Sequence, residues 1–330
     1  MKSAQGARIL NGNYRKLRHT VEGPTPDPDV RTISTDTTQI GEAVRLARDS
    51  AVAVLVLGDR AGHFQTGTVG EGTDVDDIAL TLPQQQLAEA VIATGTPTVV
   101  VLVNGRALAL GSIADKASAI LVAWFPGDEG GAAIAAALAG DINPGGKTAV
   151  SFTRSAGSQP FSYNHKALSA GLPTLEHFQA VFPFGHGLSY TRFQFENLSL
   201  PTEPLAADDT VRIECDLRNT GDRAGDEVVQ LYVRDDWASL ARPVQELKGF
   251  LRVTLQPGER KRIRFDLPVH MLSCTDLKYR RVVEPGTFEI RIGHSSADQP
   301  LKGSIDIGGA VTCVDGSKRM VCEASASAPG

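Results

Sequence analysis

The chain has 330 residues, of which 42% are hydrophobic, and its net charge is −5 from 33 Lys and Arg against 38 Asp and Glu. This length exceeds what one hydrophobic core normally serves, so we expect two domains. The acidic balance, without a run of basic residues, argues against nucleic acid as a partner.

The apolar runs are too short for a membrane helix, which needs about 18 consecutive apolar residues. The start, MKSAQGARIL, lacks the apolar region of a signal peptide. We therefore expect a soluble chain with no membrane partner, and the sequence does not indicate its cellular compartment.

The cysteines are Cys215, Cys274, Cys313 and Cys322. They form no CxxC pair, which argues against a zinc knuckle, and the sequence leaves open whether Cys313 and Cys322 form a disulfide.

From about residue 40 to 152, apolar runs alternate with helix-like segments. The apolar runs are VAVLVLG (52–58), TVVVLVNG (98–105) and AILVAWFPG (119–127), and the helix-like segments are IGEAVRLARDSA (40–51), PQQQLAEAVIATG (83–95) and EGGAAIAAALAGD (129–141). The β-rich runs, each closed by glycine, are typical of buried parallel strands. The helix-like segments are rich in Ala, Leu, Glu and Gln, and Pro83 and Gly95 are placed as at a helix start and end. This alternation predicts an α/β class, a layered α/β/α sandwich with a mostly parallel sheet.

From about residue 205 the hydrophobic pattern changes to a period of two residues. TVRIECDLRNTG, DEVVQLYVRD, RKRIRFDLP and GTFEIRIG alternate apolar and polar residues between turn segments. This predicts an antiparallel β-sandwich, immunoglobulin-like or fibronectin-like. The expected organisation is an N-terminal segment (1–39), the α/β domain (40–165), a connector rich in Gly, Pro and aromatic residues (166–204), the sandwich (205–310) and a tail (311–330).

The stretch TVGEGTDVDD, residues 68–77, follows the first predicted strand, where ligands bind in open α/β sheets. Glu71 stands between two glycines, so little bulk hinders the approach of another molecule to its carboxyl group. A general acid needs such access. From the residues alone, a solvated acidic turn is the more ordinary interpretation.

Other chemistries are less well supported. Glu71, Asp74, Asp76 and Asp77 lack the spacing of a calcium loop, so no metal is expected. VLVLGDRAG has no GxGxxG, which argues against a dinucleotide site, and no cofactor is expected. HGLS lacks the GxSxG elbow of a serine hydrolase.

Several motifs, taken together and in order, resemble glycoside hydrolase family 3, the β-glucosidase and β-xylosidase family. GDRAGHFQTGTVGEGTDVDDIALTLPQQQ, TGTPTVVVLVNGRALAL, AWFPGDEGGAAIAAALAGDINPGGKTAVSF and FPFGHGLSYT are similar to its second, α/β domain. NTGDRAGDEVVQLYVRD, RPVQELKGF, LQPGE and PGTFEIRIG are similar to its C-terminal fibronectin type III-like domain. The resemblance covers residues from about 40 to 308.

The resemblance implies a retaining exo-glycosidase that cleaves terminal β-linked glucosides or xylosides by means of two carboxyl groups. Glu71 matches the position of the family's general acid/base. The candidate substrate-binding residues on the same loop are His63, Phe64, Thr73 and Asp74. Thr73 and Val75 stand where many relatives carry an aromatic residue and an arginine.

The family's nucleophile is an aspartate in an N-terminal (β/α)8 barrel that precedes this region. In this chain only about 40 residues precede the region that resembles the family's second domain. Asp236, in DDWA, looks like the nucleophile signature but ends a predicted sandwich strand, so we interpret it as a loop residue. The expected partner is a barrel domain or chain that carries the nucleophile. The alternative is a non-catalytic carbohydrate-binding or assembly module derived from the same family.

Overall fold

The chain is seen in a computed structural model that describes residues 1–9, 18–20, 23–25, 33–62, 67–167, 180–235 and 237–328. It divides into two compact units. The first comprises Met1–Ala135, Phe152–Pro160 and Leu175–Val181, and the second comprises Ala136–Ser151, Phe161–Thr174 and Phe182–Gly330. Across the described ranges, no helix is long and apolar enough to cross a membrane.

Up to residue 182, helices alternate with short strands. In chain order they are β1 (Arg18–Thr20), β2 (Gly23–Thr25), α1 (Ile40–Arg48), β3 (Ala53–Gly58), α2 (Leu82–Ile92), β4 (Thr98–Val103), α3 (Ile113–Lys116), β5 (Ala119–Val122), α4 (Gly130–Ala139), β6 (Phe152–Thr153) and β7 (Ala180–Phe182). The strands β3, β4 and β5 form a parallel sheet in that order. The predicted α/β class with a parallel sheet is confirmed.

Local sequence explains where these elements begin and end. Pro83 lies in the first turn of α2, where its missing N–H costs nothing, and Gly95 follows the helix with a φ of +80°. β5 is shorter than the predicted run over 119–127. Two residues after β5 ends, Trp124 has a φ of +54°, a left-handed conformation that breaks an extended chain.

The core of the first unit lies around the central strand β4. Val100, Val101 and Leu102 are completely buried there, and Ala88 and Val91 of α2 are buried as well. The helix α2 packs against β3, and both α1 and α3 pack against α2. Each fully buried valine or leucine side chain stabilises the unit by roughly 1.5–3 kcal/mol.

The prediction that the run at 52–58 is a buried strand is wrong for one face of β3. Val54 and Val56 are 50% and 66% exposed, whereas Leu57 is buried. Successive side chains of a strand point to opposite faces, so Val54 and Val56 share the exposed face. An apolar run is also found in strands that are covered on one face only, and composition does not distinguish the two cases.

From residue 193 the chain is almost entirely β-structure. The strands are β8 (Phe193–Ser199), β9 (Thr210–Asn219), β10 (Gly225–Asp235), β11 (Glu246–Leu255), β12 (Arg260–Pro268), β13 (Cys274–Thr275), β14 (Arg281–Val283), β15 (Gly286–Gly293), β16 (Leu301–Ile307), β17 (Thr312–Cys313) and β18 (Glu323–Ser327). β8 lies in the stretch assigned to the connector, and it pairs with β9. β17 and β18 lie in the predicted tail and pair with β14 and β12.

Two antiparallel four-stranded sheets make up most of the second unit, with strand orders β11-β10-β15-β16 and β18-β12-β9-β8. Their alternate apolar residues form one core, which includes Leu231, Ile290, Ile213 and Phe265. Period-two patterning therefore predicts which side chains are buried. The predicted antiparallel sandwich is confirmed.

All four cysteines are free thiols. Cys313 is exposed and Cys322 is partly buried, and the structure shows no disulfide between them. Burial raises the pKa of the Cys322 thiol to about 12.

A charged cluster is buried beside the sandwich core. Glu227 of β10 is 3% exposed, and its carboxylate accepts a hydrogen bond from Lys147 Nζ at 2.8 Å and lies 2.6 Å from His294 Nδ1. Burial by itself would raise the pKa of Glu227. The hydrogen bond with His294 and the charge of Lys147 outweigh burial and hold the pKa below its ordinary value of 4.5.

This cluster predicts a pH dependence of stability. The folded-state pKa of Glu227 lies below the unfolded value of 4.5. The contribution of its carboxylate to the free energy of unfolding is therefore fully present above pH 4.5 and is lost as the pH falls through the folded-state pKa. We therefore expect the stability gap between the wild type and Glu227→Gln to shrink on acidification from about pH 7 to about pH 3. Urea unfolding followed by far-ultraviolet circular dichroism measures the gap. Glu203→Gln, at an exposed position, is the control, and a gap for Glu227→Gln that does not change with pH would contradict the prediction.

Candidate active site

Glu71 lies on the loop that joins the carboxyl end of β3 to α2. It occupies the second position of a tight turn, in which Thr73 N donates to Gly70 O at 3.1 Å. The flanking glycines have φ values of +123° (Gly70) and +67° (Gly72), which other residues rarely adopt. The turn holds the Glu71 side chain in an exposed position.

The structure gives Gly70 a different role from the one expected. A Cβ atom at Gly70 would lie 2.4 Å from the carbonyl oxygen of Gly62, so glycine is required for the loop to pack against its own backbone. The loop is further joined by the bond from Gly62 N to Val69 O, at 3.0 Å. The approach of the chain to itself, rather than of a ligand, explains the glycine at position 70.

Of the other candidates on this loop, Thr73 and Asp74 hold the turn together. The Thr73 hydroxyl accepts a hydrogen bond from Gly67 N at 2.8 Å, and Thr73 is 6% exposed. Asp74 Oδ1 accepts one from Gly70 N at 3.0 Å, and this side chain is exposed. Their role in substrate binding stays a prediction. His63 and Phe64 lie outside the described residues, as does Asp236.

A partly buried ion pair anchors the loop to the sheet. Asp59 follows β3, Arg106 follows β4, and Arg106 Nη2 lies 3.7 Å from Asp59 Oδ1, with the aspartate side chain only 4% exposed. The guanidinium also donates to the carbonyl oxygens of Val75 (3.0 Å), Thr68 (3.1 Å) and Asp77 (3.4 Å). One arginine thereby fixes three points of the loop segment that contains Glu71.

The carboxyl ends of β4 and β5 carry further unusual features. Asn104 is completely buried, and its Nδ2 donates to Arg106 O at 2.7 Å. Within the described ranges, Asn104 Oδ1 and Arg106 Nε are buried polar atoms with no hydrogen-bond partner. The strained Trp124 lies beside them, because Asn104 N donates to Trp124 O at 3.3 Å. Unpaired buried polar atoms and backbone strain are expected at functional sites.

The sequence interpretation missed Asp59, Asn104 and Arg106. Their signal was available, since they are among the first polar residues after the apolar strand runs. The carboxyl ends of parallel neighbours meet at one edge of the sheet, so polar residues after two consecutive strands are expected to lie close together. In the part of the chain that the structure describes, no group of three or more His, Cys, Asp or Glu could hold a metal ion.

Both halves of the chain match models of known protein families. The glycosyl hydrolase family 3 C-terminal domain matches residues 3–190, more than half of the chain, and the fibronectin type III-like domain matches residues 227–296. This chain belongs to glycosyl hydrolase family 3. The resemblance predicted from its motifs is confirmed.

Curated relatives in the family are much longer than this chain. A β-xylosidase from Formosa agariphila is 42% identical over 265 residues, covering 79% of this chain and 36% of that protein. A periplasmic β-glucosidase from Salmonella typhimurium is 40% identical over 281 residues, covering 81% of this chain and 36% of that protein. The chain thus spans little more than a third of these relatives.

Solved structures of β-glucosidases share the fold of this chain. A β-glucosidase from Erythrobacter marinus aligns with a TM-score of 0.79 and 36% identity, covering 92% of this chain and 40% of that one. A β-glucosidase from Listeria innocua in complex with glucose aligns with a TM-score of 0.76 and 32% identity, covering 84% of this chain and 39% of that one. These alignments confirm the fold class of the family 3 chain.

Proposed function

We propose that this family 3 chain is part of a retaining exo-β-glycosidase that hydrolyses terminal β-linked glucosides or xylosides, and that Glu71 is its general acid/base. The observation that carries the proposal is the placement of Glu71: an exposed carboxyl group on a fixed turn at the carboxyl end of a parallel strand. The relatives named β-xylosidase and β-glucosidase support the choice of substrates.

In this mechanism Glu71 acts twice. In the first step a carboxylate nucleophile attacks the anomeric carbon, and Glu71 transfers its proton to the departing glycosidic oxygen. In the second step the Glu71 carboxylate accepts a proton from water, and that water breaks the bond between sugar and nucleophile. An exposed carboxyl group on a rigid turn suits both transfers, because the geometry need not change between them.

The second part of the proposal concerns the nucleophile, which we place on a barrel domain or chain outside these 330 residues. The family resemblance implies a barrel aspartate, and the chain spans only 36% of the length of its relatives. Retaining enzymes place the two carboxyl groups about 5–5.5 Å apart. Turnover therefore requires that the barrel and the Glu71 loop share one substrate pocket.

A hydrolysis assay tests this requirement. We expect the 330-residue chain alone to show no turnover of 4-nitrophenyl β-glucoside or β-xyloside above background, and a barrel-containing form of the same protein to hydrolyse at least one of them. Circular dichroism verifies that the shorter chain is folded. Robust hydrolysis by the chain alone, abolished by an Asp→Asn change within it, would place the nucleophile inside these residues and refute the proposal. Sugar binding by calorimetry without turnover in either form would favour the non-catalytic module.

A further inference from the structure

The first strand of the parallel sheet presents apolar side chains to solvent. Val52, just before β3, and Val54 and Val56 within it are 52%, 50% and 66% exposed. They alternate along the chain, so all three point to one face. In the parallel register Val56 lies beside Val101 of β4, which is completely buried. The cover on this face of the sheet therefore reaches β4 but leaves β3 bare.

β3 is also an edge strand. In the described part of the chain it pairs with β4 alone, so the backbone N–H and C=O groups on its other side have no strand partner. Proteins protect such edges with charged residues, proline or bulges, because an open apolar edge pairs with other chains. The edge strands β11 and β16 of the sandwich carry Lys248 and Lys302, whereas AVLVLG of β3 has no charged residue and no proline. The sequence of β3 is that of a strand whose outer side is covered.

A pocket lies beside the carboxyl end of β3. Its volume is about 180 Å³, and its apolar wall includes Ile9, Val56, Leu87 and Val103. A cavity of about 150 Å³ accommodates benzene, so this pocket has room for one large apolar side chain.

The polar side chains in the pocket wall have partners within the same unit. Gln84 Nε2 donates to Gly58 O at 3.0 Å, and Gln84 Oε1 accepts a bond from Gly58 N at 2.8 Å. Asp59 Oδ1 accepts a bond from the Thr68 hydroxyl at 2.9 Å. The pocket therefore offers mainly apolar contact, which argues against a sugar or a phosphate as its ligand.

The first residues of the chain lie at this pocket. Gly6 packs on Leu87 of α2, because a Cβ atom at Gly6 would lie 2.7 Å from Leu87 Cδ2. Ile9 O accepts a hydrogen bond from Ser34 N at 2.9 Å. Met1 and Gly6 are joined by five residue steps, so at most about 18 Å separates them. Residues that precede Met1 in a longer form of the protein would enter beside β3, where a short linker raises their effective concentration to the millimolar range.

We propose that the β3 surface, which we define as Val52, Val54, Val56 and the adjoining pocket, binds an apolar strand from the part of the same protein that precedes Met1. This inference rests on the part of the proposed function that places a further domain outside these 330 residues. It agrees with the coverage of the relatives, of which the chain spans 36%. The added strand pairs with the free edge of β3, covers the exposed valines and places one apolar side chain in the pocket.

This contact would join the further domain to the edge of the sheet that carries Glu71. Asp59 directly follows β3, and it pairs with Arg106, whose guanidinium holds the Glu71 loop. The strand on β3 would therefore help to bring the domain with the nucleophile to the same edge as the proton donor.

Carbene footprinting and amide hydrogen exchange test the proposal in two forms of the protein. We expect Val54 and Val56 to be labelled in the 330-residue chain and protected in a barrel-containing form. The amides of β3 should exchange at least about tenfold more slowly in the longer form. Val311, a 55% exposed valine of the second unit, is the control and should be labelled equally in both forms. Equal labelling of Val54 and Val56 in the two forms would overturn the inference.

Val56→Lys separates the contact from folding. Val56 is 66% exposed, so the variant of the 330-residue chain should keep its urea midpoint. In the longer form the substitution places an unpaired ammonium group under the added strand, so the amides of β3 should exchange as fast as in the shorter chain. Val311→Lys makes the same change at another exposed valine and should leave both forms unchanged.

Two further outcomes would contradict the proposal. One is full protection of β3 in the longer form of Val56→Lys. The other is a longer form that is dimeric by analytical ultracentrifugation as the wild type and monomeric as Val56→Lys, since the surface would then bind a second copy. Glu71→Gln should retain the protection of β3 even where it abolishes turnover, so a failure of the catalytic proposal and a failure of this one are distinguishable.

Discussion

Glu71→Gln in a barrel-containing form of the protein should lower kcat/KM on an alkyl β-glucoside by about 10²–10⁴-fold, because general acid catalysis contributes that much. Glutamine has nearly the same shape as glutamate but carries no transferable proton. A leaving group that departs readily as an anion, such as dinitrophenolate, hardly needs protonation. The first step for the dinitrophenyl β-glucoside should therefore be almost unchanged, and its steady-state rate should be limited by the second step.

The measurement is kcat/KM on both substrates, together with the burst of released dinitrophenolate. Asp76→Asn is the matched control, since it makes the same chemical change at another exposed acid of the same loop. We expect it to stay within a few-fold of the wild type on both substrates. Equal loss on the alkyl and the dinitrophenyl glucoside in Glu71→Gln would remove Glu71 from the acid role.

Arg106→Ala should have the second largest effect, on stability and activity together. The change removes the Arg106 charge from beside the Asp59 carboxylate, which is 4% exposed and keeps hydrogen bonds from the Thr68 hydroxyl and from Gly105 N. We expect a loss of about 1–3 kcal/mol in the free energy of unfolding. The change also frees the carbonyl oxygens of Thr68, Val75 and Asp77 from their shared donor. A loop displaced by about 1 Å loses on the order of 10²-fold in rate, so activity should fall even at temperatures where the variant is folded.

Urea unfolding and kcat/KM at a temperature well below the transition measure the two effects. Arg45→Ala is the control, because the Arg45–Asp49 pair has nearly the same separation, 3.8 Å, but both side chains are more than half exposed. Exposed pairs contribute about 1 kcal/mol or less. The losses of stability and activity in Arg106→Lys should lie between those of Arg45→Ala and Arg106→Ala, because one ammonium group does not reach the three carbonyl oxygens and the carboxylate together. If Arg106→Ala lowers stability and kcat/KM no more than Arg45→Ala does, the ion pair does not hold the loop.

The sequence by itself determined the class of each half and its family. Buried strands and helix faces leave a local record, because side-chain direction repeats every two or 3.6 residues along the chain. The same record located β3, β4, β9 and β10, and family motifs singled out Glu71 on its glycine-flanked turn.

Only the tertiary structure decided how that turn is held and what else the chain exposes. The pairing of Asp59 with Arg106, the packing of Gly70 against Gly62 O and the exposed face of Val54 and Val56 depend on segments that meet through folding. Such contacts have no period in the sequence, since each depends on the order and direction of strands rather than on neighbouring residues. The left-handed conformation of Trp124 is equally invisible to composition, because a backbone angle is imposed by the structure that surrounds the residue.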